Sequence, residues 1–83
     1  MYNVTIEKPA LKYILKLDRT TAKRIRNAIA AIAADPKIGK LLTKHEASYS
    51  YRVGDFRVLY DVYESQILVI VVKVKGRGDV YNS

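Results

Sequence analysis

The chain has 83 residues, and its 15 lysines and arginines exceed its eight acidic residues, which gives a formal net charge of +7. This length fits a single domain over residues 1–83 with a small core. The absence of cysteine excludes disulfides and cysteine-based zinc sites and is usual for a reducing cytoplasm. The charge favours a polyanion or an acidic protein as partner.

The N-terminal residues show no targeting pattern. Met1–Lys8 lacks the basic start and apolar stretch of a signal peptide. The longest apolar run, Ile67–Val72, is far shorter than the ~20 residues that a membrane helix requires. We therefore expect a cytoplasmic protein without a membrane partner.

The first part of the chain predicts a strand followed by a short helix. Residues alternate between apolar and polar over Tyr2–Ile6, as in a half-buried strand. Pro9 suits the first turn of a helix, where its missing N–H is not needed. Apolar residues at helical spacing extend this helix over Ala10–Leu17.

A second helix should run to about Ala34, because Pro36 pushes Asp35 out of the helical region. Asp18 is the expected N-cap, and Thr20 is the competing choice. The apolar stripe of this helix comprises Ala22, Ile25, Ala28, Ile29, Ile32 and Ala33. The opposite face, expected to be solvated, carries Lys23, Arg24 and Arg26.

The second half of the chain has β character. Lys37–Ser48 has no clear period and is predicted to be a loop carrying Lys40, Lys44 and His45. Three strands should follow, at Tyr49–Val53, Phe56–Tyr63 and Gln66–Lys75, with tight turns at Gly54-Asp55 and Glu64-Ser65. After Gly76-Arg77-Gly78, residues Val80-Tyr81 form a last short strand or an extended tail.

The order β-α-α-β-β-β predicts an α+β fold. An antiparallel sheet of hairpin-connected strands would carry the two N-terminal helices packed on one face. In the strand Phe56–Tyr63 the better core face consists of Phe56, Val58, Tyr60 and Val62.

Two arginines should meet on the opposite face of this sheet. A two-residue turn at Gly54-Asp55 places Arg52 directly opposite Arg57, and like charges in that position repel unless an anion lies between them. Arg57 is therefore either a phosphate contact or the partner of Asp55 or Asp61 in an ion pair.

Further basic residues and a tyrosine follow. Lys73 and Lys75 share one strand face, and Arg77 lies between two glycines that allow the backbone to approach a ligand. Neighbouring cations would favour the ionised form of Tyr81. This phenol could accept a proton from a ribose 2′-OH or stack on an unpaired base.

Other kinds of catalytic site find little support. The chain has one histidine, and its carboxylates do not cluster at the spacing of metal ligands. His45 is either a second acid–base group or an ordinary exposed loop residue. We predict no metal and no cofactor.

The C-terminal half resembles the RelE branch of the RelE/ParE toxins. The resemblance rests on the strand–turn–strand Tyr49–Val62, with Arg57 and Tyr60 in an aromatic-Arg-apolar-apolar-Tyr strand, and on the ending Lys75–Tyr81. The order of elements before them also fits. Relatives of this branch are toxins of type II toxin–antitoxin systems that cut mRNA in the ribosomal A site without a metal.

The resemblance implies roles for individual residues. Arg57 would contact the scissile phosphate, Tyr81 would be the general base, and Arg77 would stabilise the phosphate or act as an acid. The RNA-binding residues would be Arg52, Lys75, Lys73 and Lys44. A cognate acidic, RelB-like antitoxin is the expected protein partner.

The chain departs from the family pattern at three places. Ser50 stands where a second basic residue is expected on the first strand of the hairpin. Lys75 occupies the leading position of the basic turn, so Arg77 would take over the role of the family's arginine as acid or phosphate stabiliser. The chain ends at Ser83 without the C-terminal helix of some relatives. Two alternatives stay open, namely a ParE-like toxin that inhibits DNA gyrase by binding and a non-catalytic nucleic-acid-binding module.

Overall fold

The computed structural model of the chain describes residues 1–43 and 47–76. Its elements are, in order, β1 (Asn3–Ile6), α1 (Lys8–Leu15), α2 (Arg19–Ala34), β2 (Lys40–Leu41), β3 (Tyr49–Val53), β4 (Phe56–Tyr63) and β5 (Leu68–Lys75). Short 3-10 turns, Pro36–Ile38 and Glu64–Gln66, precede β2 and β5. The predicted α+β order is confirmed, with β2 as an additional strand.

All five strands form one sheet in the order β1-β5-β4-β3-β2. The pairs β2–β3, β3–β4 and β4–β5 are antiparallel, whereas β1 lies parallel to β5. The predicted antiparallel pairing is confirmed for β3–β4 and β4–β5, and the parallel edge at β1 is a difference from the prediction. A parallel neighbour requires a long connection, and the two helices and three other strands between β1 and β5 provide it.

Both helices pack on one face of the sheet. The α2 stripe that the sequence predicts is buried in full. The N-cap of α2 is Asp18, because its Oδ2 accepts a hydrogen bond from the Thr21 N–H at 3.1 Å. The core cluster under the helices consists of Ala10, Ile14, Ala22, Ile25, Ile29, Ile32, Val58, Tyr60, Val69, Val71 and Val74.

A bulge in β5 sets which side chains face the helices. Leu59 pairs with Lys73 and Tyr60 with Val71, so Val72 is the extra residue. Val71 and Val74 are therefore both buried beneath the helices although three positions separate them. The lysines of β5 remain on the other face, as the sequence predicted. The predicted core face of β4 is confirmed as well.

Three boundaries differ from the prediction. The segment Lys37–Ser48 is not a continuous loop, because β2 lies within it and pairs with β3. The last strand begins at Leu68 rather than Gln66, since Glu64–Gln66 forms a turn and Ile67 is left-handed with φ 50°. The first helix ends at Leu15, two residues early. Pairing with distant strands, which local patterns do not encode, decides the first two.

Candidate functional site

Three cations form a cross-strand row on the face of the sheet away from the helices. Arg52 of β3 lies opposite Arg57 of β4, and Arg57 lies opposite Lys75 of β5. Both arginines are exposed and Lys75 is half-buried. The register that the Gly54-Asp55 turn predicts for the two arginines is confirmed.

A second row runs beside the first, two positions further along the strands. It contains Lys40 of β2, Ser50 of β3, Leu59 of β4 and Lys73 of β5, each opposite the next. Residues two apart on a strand share a face, so Ser50 lies on the same side as Arg52. This face therefore carries five cations on four adjacent strands.

A groove of about 390 Å³ opens between the two rows at the β2 edge. Its lining comprises Ile38, Lys40, Leu42, Ser50, Tyr51, Arg52 and Arg57. Guanidinium groups bind phosphate oxygens in pairs and keep their charge at all relevant pH values. An elongated anion such as a nucleic-acid backbone fits this combination of open shape and positive charge.

The acidic neighbours do not neutralise Arg57. Neither Asp55 nor Asp61 forms an ion pair with Arg57, whereas Lys37 Nζ pairs with Glu64 Oε1 at 3.8 Å. The Asp61 carboxylate instead accepts the Ser48 N–H at 2.7 Å. The ion-pair alternative for Arg57 is therefore not realised. Its charge faces other cations, an arrangement that an anion would stabilise.

Arg52 is held in place by the hairpin turn. Its Nε donates a hydrogen bond to the Gly54 carbonyl oxygen at 3.1 Å. Gly54 itself has φ +59°, a conformation that glycine adopts without strain. The turn thus fixes the direction of the guanidinium, while its terminal nitrogens remain available to a ligand.

A buried tyrosine fixes the β2 edge of the groove. The Tyr60 hydroxyl donates to the Pro36 carbonyl oxygen at 2.6 Å and accepts from the Gly39 N–H at 3.1 Å. Its ring stacks on Tyr49 with centroids 5.4 Å apart. Burial raises the pKa of Tyr60 to about 12, so this phenol stays protonated and keeps donating.

This anchor was not predicted from the sequence. Tyr60 was predicted only as a core residue, and its hydroxyl partners are more than 20 positions away in the chain. Gly39 is the one local sequence feature that points to this anchor. A methyl group there would meet the Tyr60 hydroxyl and lie 3.0 Å from the Ser50 carbonyl oxygen. The glycine therefore permits the close approach of this turn to β3 and β4.

The end of β5 is also closely packed. A methyl group on Gly76 would meet the Tyr13 hydroxyl and lie 3.1 Å from the Phe56 ring. The rings of Tyr13 and Phe56 touch edge to face, with centroids 6.5 Å apart. These contacts fix the position of Gly76, which directly precedes the segment that carries Arg77 and Tyr81.

Four residues singled out in the sequence lie outside the described residues, namely Lys44, His45, Arg77 and Tyr81. The structure thus brings together Arg52, Arg57, Lys73 and Lys75 of the predicted set, and adds Lys40 to them. Within residues 1–43 and 47–76, no three acidic, histidine or cysteine side chains gather as metal ligands. No helix in this part is long and apolar enough to cross a membrane.

A model of a known protein family matches most of the chain. The family model described as the ParE toxin of the type II toxin–antitoxin system parDE matches residues 4–81. Among curated protein sequences, none matches the chain.

Solved structures with the same fold are toxins named RelE. The isolated Escherichia coli RelE toxin has a TM-score of 0.80 at 23% identity, covering 99% of this chain and 93% of its own. The Mycobacterium tuberculosis RelBE2 toxin–antitoxin complex gives 0.80 at 25% identity, with 92% and 98% covered. The archaeal RelE–RelB complex of Pyrococcus horikoshii gives 0.77 at 25% identity, with 93% and 96% covered.

Proposed function

The chain belongs to the ParE toxin family of type II toxin–antitoxin systems and has a RelE-like fold, and from this premise we propose that it is a ribosome-dependent mRNA endoribonuclease. It would act in the cytoplasm, cut mRNA in the ribosomal A site and so inhibit translation. The observation that carries the proposal is the cross-strand row of Arg52, Arg57 and Lys75. A phosphodiester needs such a cluster when negative charge develops on its oxygens.

The proposed reaction uses the RNA's own 2′-hydroxyl as nucleophile. Tyr81, as phenolate, takes the proton of the 2′-OH, and the oxygen attacks the adjacent phosphorus. The bond to the 5′-oxygen breaks, and that oxygen takes up a proton from water, while Tyr81 later releases its proton to the solvent. The products are a 2′,3′-cyclic phosphate and a 5′-hydroxyl end. Arg57 and Arg77 stabilise the additional negative charge on the phosphate, so the step requires no metal or cofactor.

The remaining cations would hold the RNA rather than take part in bond breaking. Arg52 and Lys75 flank Arg57 on both sides, so they can bind phosphate oxygens next to the scissile group. Lys73 would extend the basic surface along β5, and Lys44, which lies outside the described residues, would also bind RNA. Contacts of this kind position the backbone without reading its sequence.

A cognate antitoxin is the proposed protein partner. Two of the three structures described above are toxin–antitoxin complexes, and the +7 charge of this chain suits a small acidic protein whose segment folds on binding. A groove of about 550 Å³ between α2 and β3 combines Ala28 and Ala31 with Arg24 and Arg52. We propose that an acidic amphipathic segment of the antitoxin docks there.

Mapping of mRNA ends after controlled expression tests the activity. New 5′ ends at fixed positions within codons, absent when translation is blocked beforehand, are the expected result. Cleavage of purified ribosome complexes should need no metal ion beyond the Mg²⁺ that keeps the ribosome assembled. Growth arrest without such ends would contradict the proposal.

A second candidate is inhibition of DNA gyrase by binding. The description of the matching family model as a ParE toxin favours it, and the fold would be the same. In this case expression should produce DNA damage and leave mRNA intact. The cross-strand row of Arg52, Arg57 and Lys75 would then be a surface that binds gyrase. Tyr81→Phe should leave toxicity unchanged.

A further inference from the structure

Lys40 shares the groove of the arginine row although it lies on another strand. It is exposed, it pairs with Ser50 across the β2–β3 ladder, and it lines the same groove as Arg52 and Arg57. No acidic side chain in the described part of the chain pairs with it. Its ammonium group is therefore available to a ligand in this groove.

The backbone that carries Lys40 is anchored. Lys40 follows Gly39, whose N–H donates to the Tyr60 hydroxyl at 3.1 Å, and the same hydroxyl binds the Pro36 carbonyl oxygen. Tyr60 is fully buried. A short edge strand that would otherwise fray is thus tied to the central strand β4. Lys40 consequently holds a defined place beside the arginines.

The spacing of the two rows suits a phosphodiester chain. Ser50 and Arg52 are two residues apart on β3, which corresponds to roughly 7 Å along the strand. A single-stranded nucleic acid can bridge such a separation with two neighbouring phosphates. One phosphate would lie between Arg52 and Arg57, and the next would lie over Ser50, within reach of the long side chain of Lys40.

We propose that Lys40 binds the phosphate next to the scissile one and so forms a second phosphate position in the groove. This inference rests on the proposed function. Lys40 is a positioning residue in this scheme, because it contacts the RNA backbone away from the bond that breaks. The small Ser50 side chain leaves the space through which Lys40 reaches the RNA.

A binding measurement that needs no cleavage tests this position. The full chain and its variants are titrated with a single-stranded RNA oligonucleotide whose 2′-oxygens are methylated, at several salt concentrations. Lys40→Gln should weaken binding about threefold to tenfold at low salt. It should also reduce the slope of log affinity against log salt by about 0.7, the value for one phosphate contact on a single strand.

Two further variants sharpen the test. Lys23→Gln removes the same charge from the exposed face of α2 and should leave the slope unchanged. Exchanging the two residues, as Lys40→Ser with Ser50→Lys, should restore the slope because the cation returns on the facing strand. Equal affinity and slope for Lys40→Gln and Lys23→Gln would overturn the proposal.

Cleavage of ribosome-bound mRNA separates this inference from the proposed function. If the wild-type chain cleaves mRNA and Lys40→Gln binds and cleaves normally, the Lys40 position is wrong and the function stands. If Lys40→Gln loses one phosphate contact but the wild-type chain cleaves nothing, the phosphate contact of Lys40 stands and the proposed function is wrong.

Discussion

Arg52 and Arg57 lie directly opposite each other across the β3–β4 hairpin, and no acidic residue in the described part of the chain pairs with Arg57. Like charges placed this way destabilise a sheet. The pair therefore does not contribute to the stability of the sheet. In the proposed function, a phosphate bound between the two guanidinium groups offsets this repulsion.

Replacing Arg57 by alanine should separate activity from stability. Loss of one group that stabilises transition-state charge lowers a rate by about 10²–10³-fold, so the cleavage of ribosome-bound mRNA should fall by that factor. The free energy of unfolding should stay equal or rise slightly, because the repulsion from Arg52 is removed. Arg26→Ala, on the exposed face of α2, should change neither quantity. Full toxicity of Arg57→Ala would show that the phosphate site lies elsewhere.

Tyr81→Phe tests the general base. Phenylalanine keeps the ring but has no oxygen to accept the 2′-OH proton, so growth arrest should be relieved while the thermal unfolding curve stays the same. RNA binding should also persist, since stacking needs only the ring. Rapid cleavage by Tyr81→Phe would exclude proton transfer to this residue and leave stacking as its role.

Removal of the Tyr60 hydroxyl should weaken the β2 edge. Tyr60→Phe leaves the Pro36 carbonyl and the Gly39 N–H without their partner, which should cost about 1–3 kcal/mol in the free energy of unfolding. Chemical denaturation measures this change. We expect a larger loss of RNA affinity than the lost stability explains, because Lys40 follows the anchored turn. An unchanged affinity would mean that the anchor does not position Lys40.

Tyr60 also predicts a pH dependence at the alkaline end. Its pKa is raised to about 12 in the folded chain, above the ~10 of an unfolded tyrosine. Its contribution to stability is therefore complete below about pH 10 and is lost as the pH rises through 10 towards 12. Unfolding of the wild type and of Tyr60→Phe should show converging stabilities over this interval. Parallel curves for the two proteins would contradict the assignment.

Gly39→Ala should destabilise the chain through a steric clash. The added methyl would meet the Tyr60 hydroxyl and the Ser50 carbonyl. In combination with Tyr60→Phe the clash is partly relieved, so the double variant should be less destabilised than the sum of the single variants. An interaction energy above about 0.5 kcal/mol in this double-mutant cycle is expected. Strict additivity would show that the two groups do not touch.

Local sequence patterns were sufficient to predict the features whose interacting residues are near each other in the chain. The stripe on α2, the N-cap Asp18 and the turn at Gly54-Asp55 were each predicted, because a few adjacent residues determine them. A two-residue turn also fixes the register of the strands that it joins, and this is why the facing arginines were predicted correctly. The predicted roles of Arg77 and Tyr81 stay predictions.

Tertiary structure decided what depends on distant partners. The parallel placement of β1 beside β5, the two-residue strand β2 and the Tyr60 anchor all join residues 8 to 65 positions apart. The sequence of β5 does not show which of its valines face the helices, because the bulge at Val72 determines their orientation. The amino-acid sequence by itself determined which residues are basic, apolar or able to turn. Only the sheet, by bringing Lys40 next to the arginines, decided which of the cations share one groove.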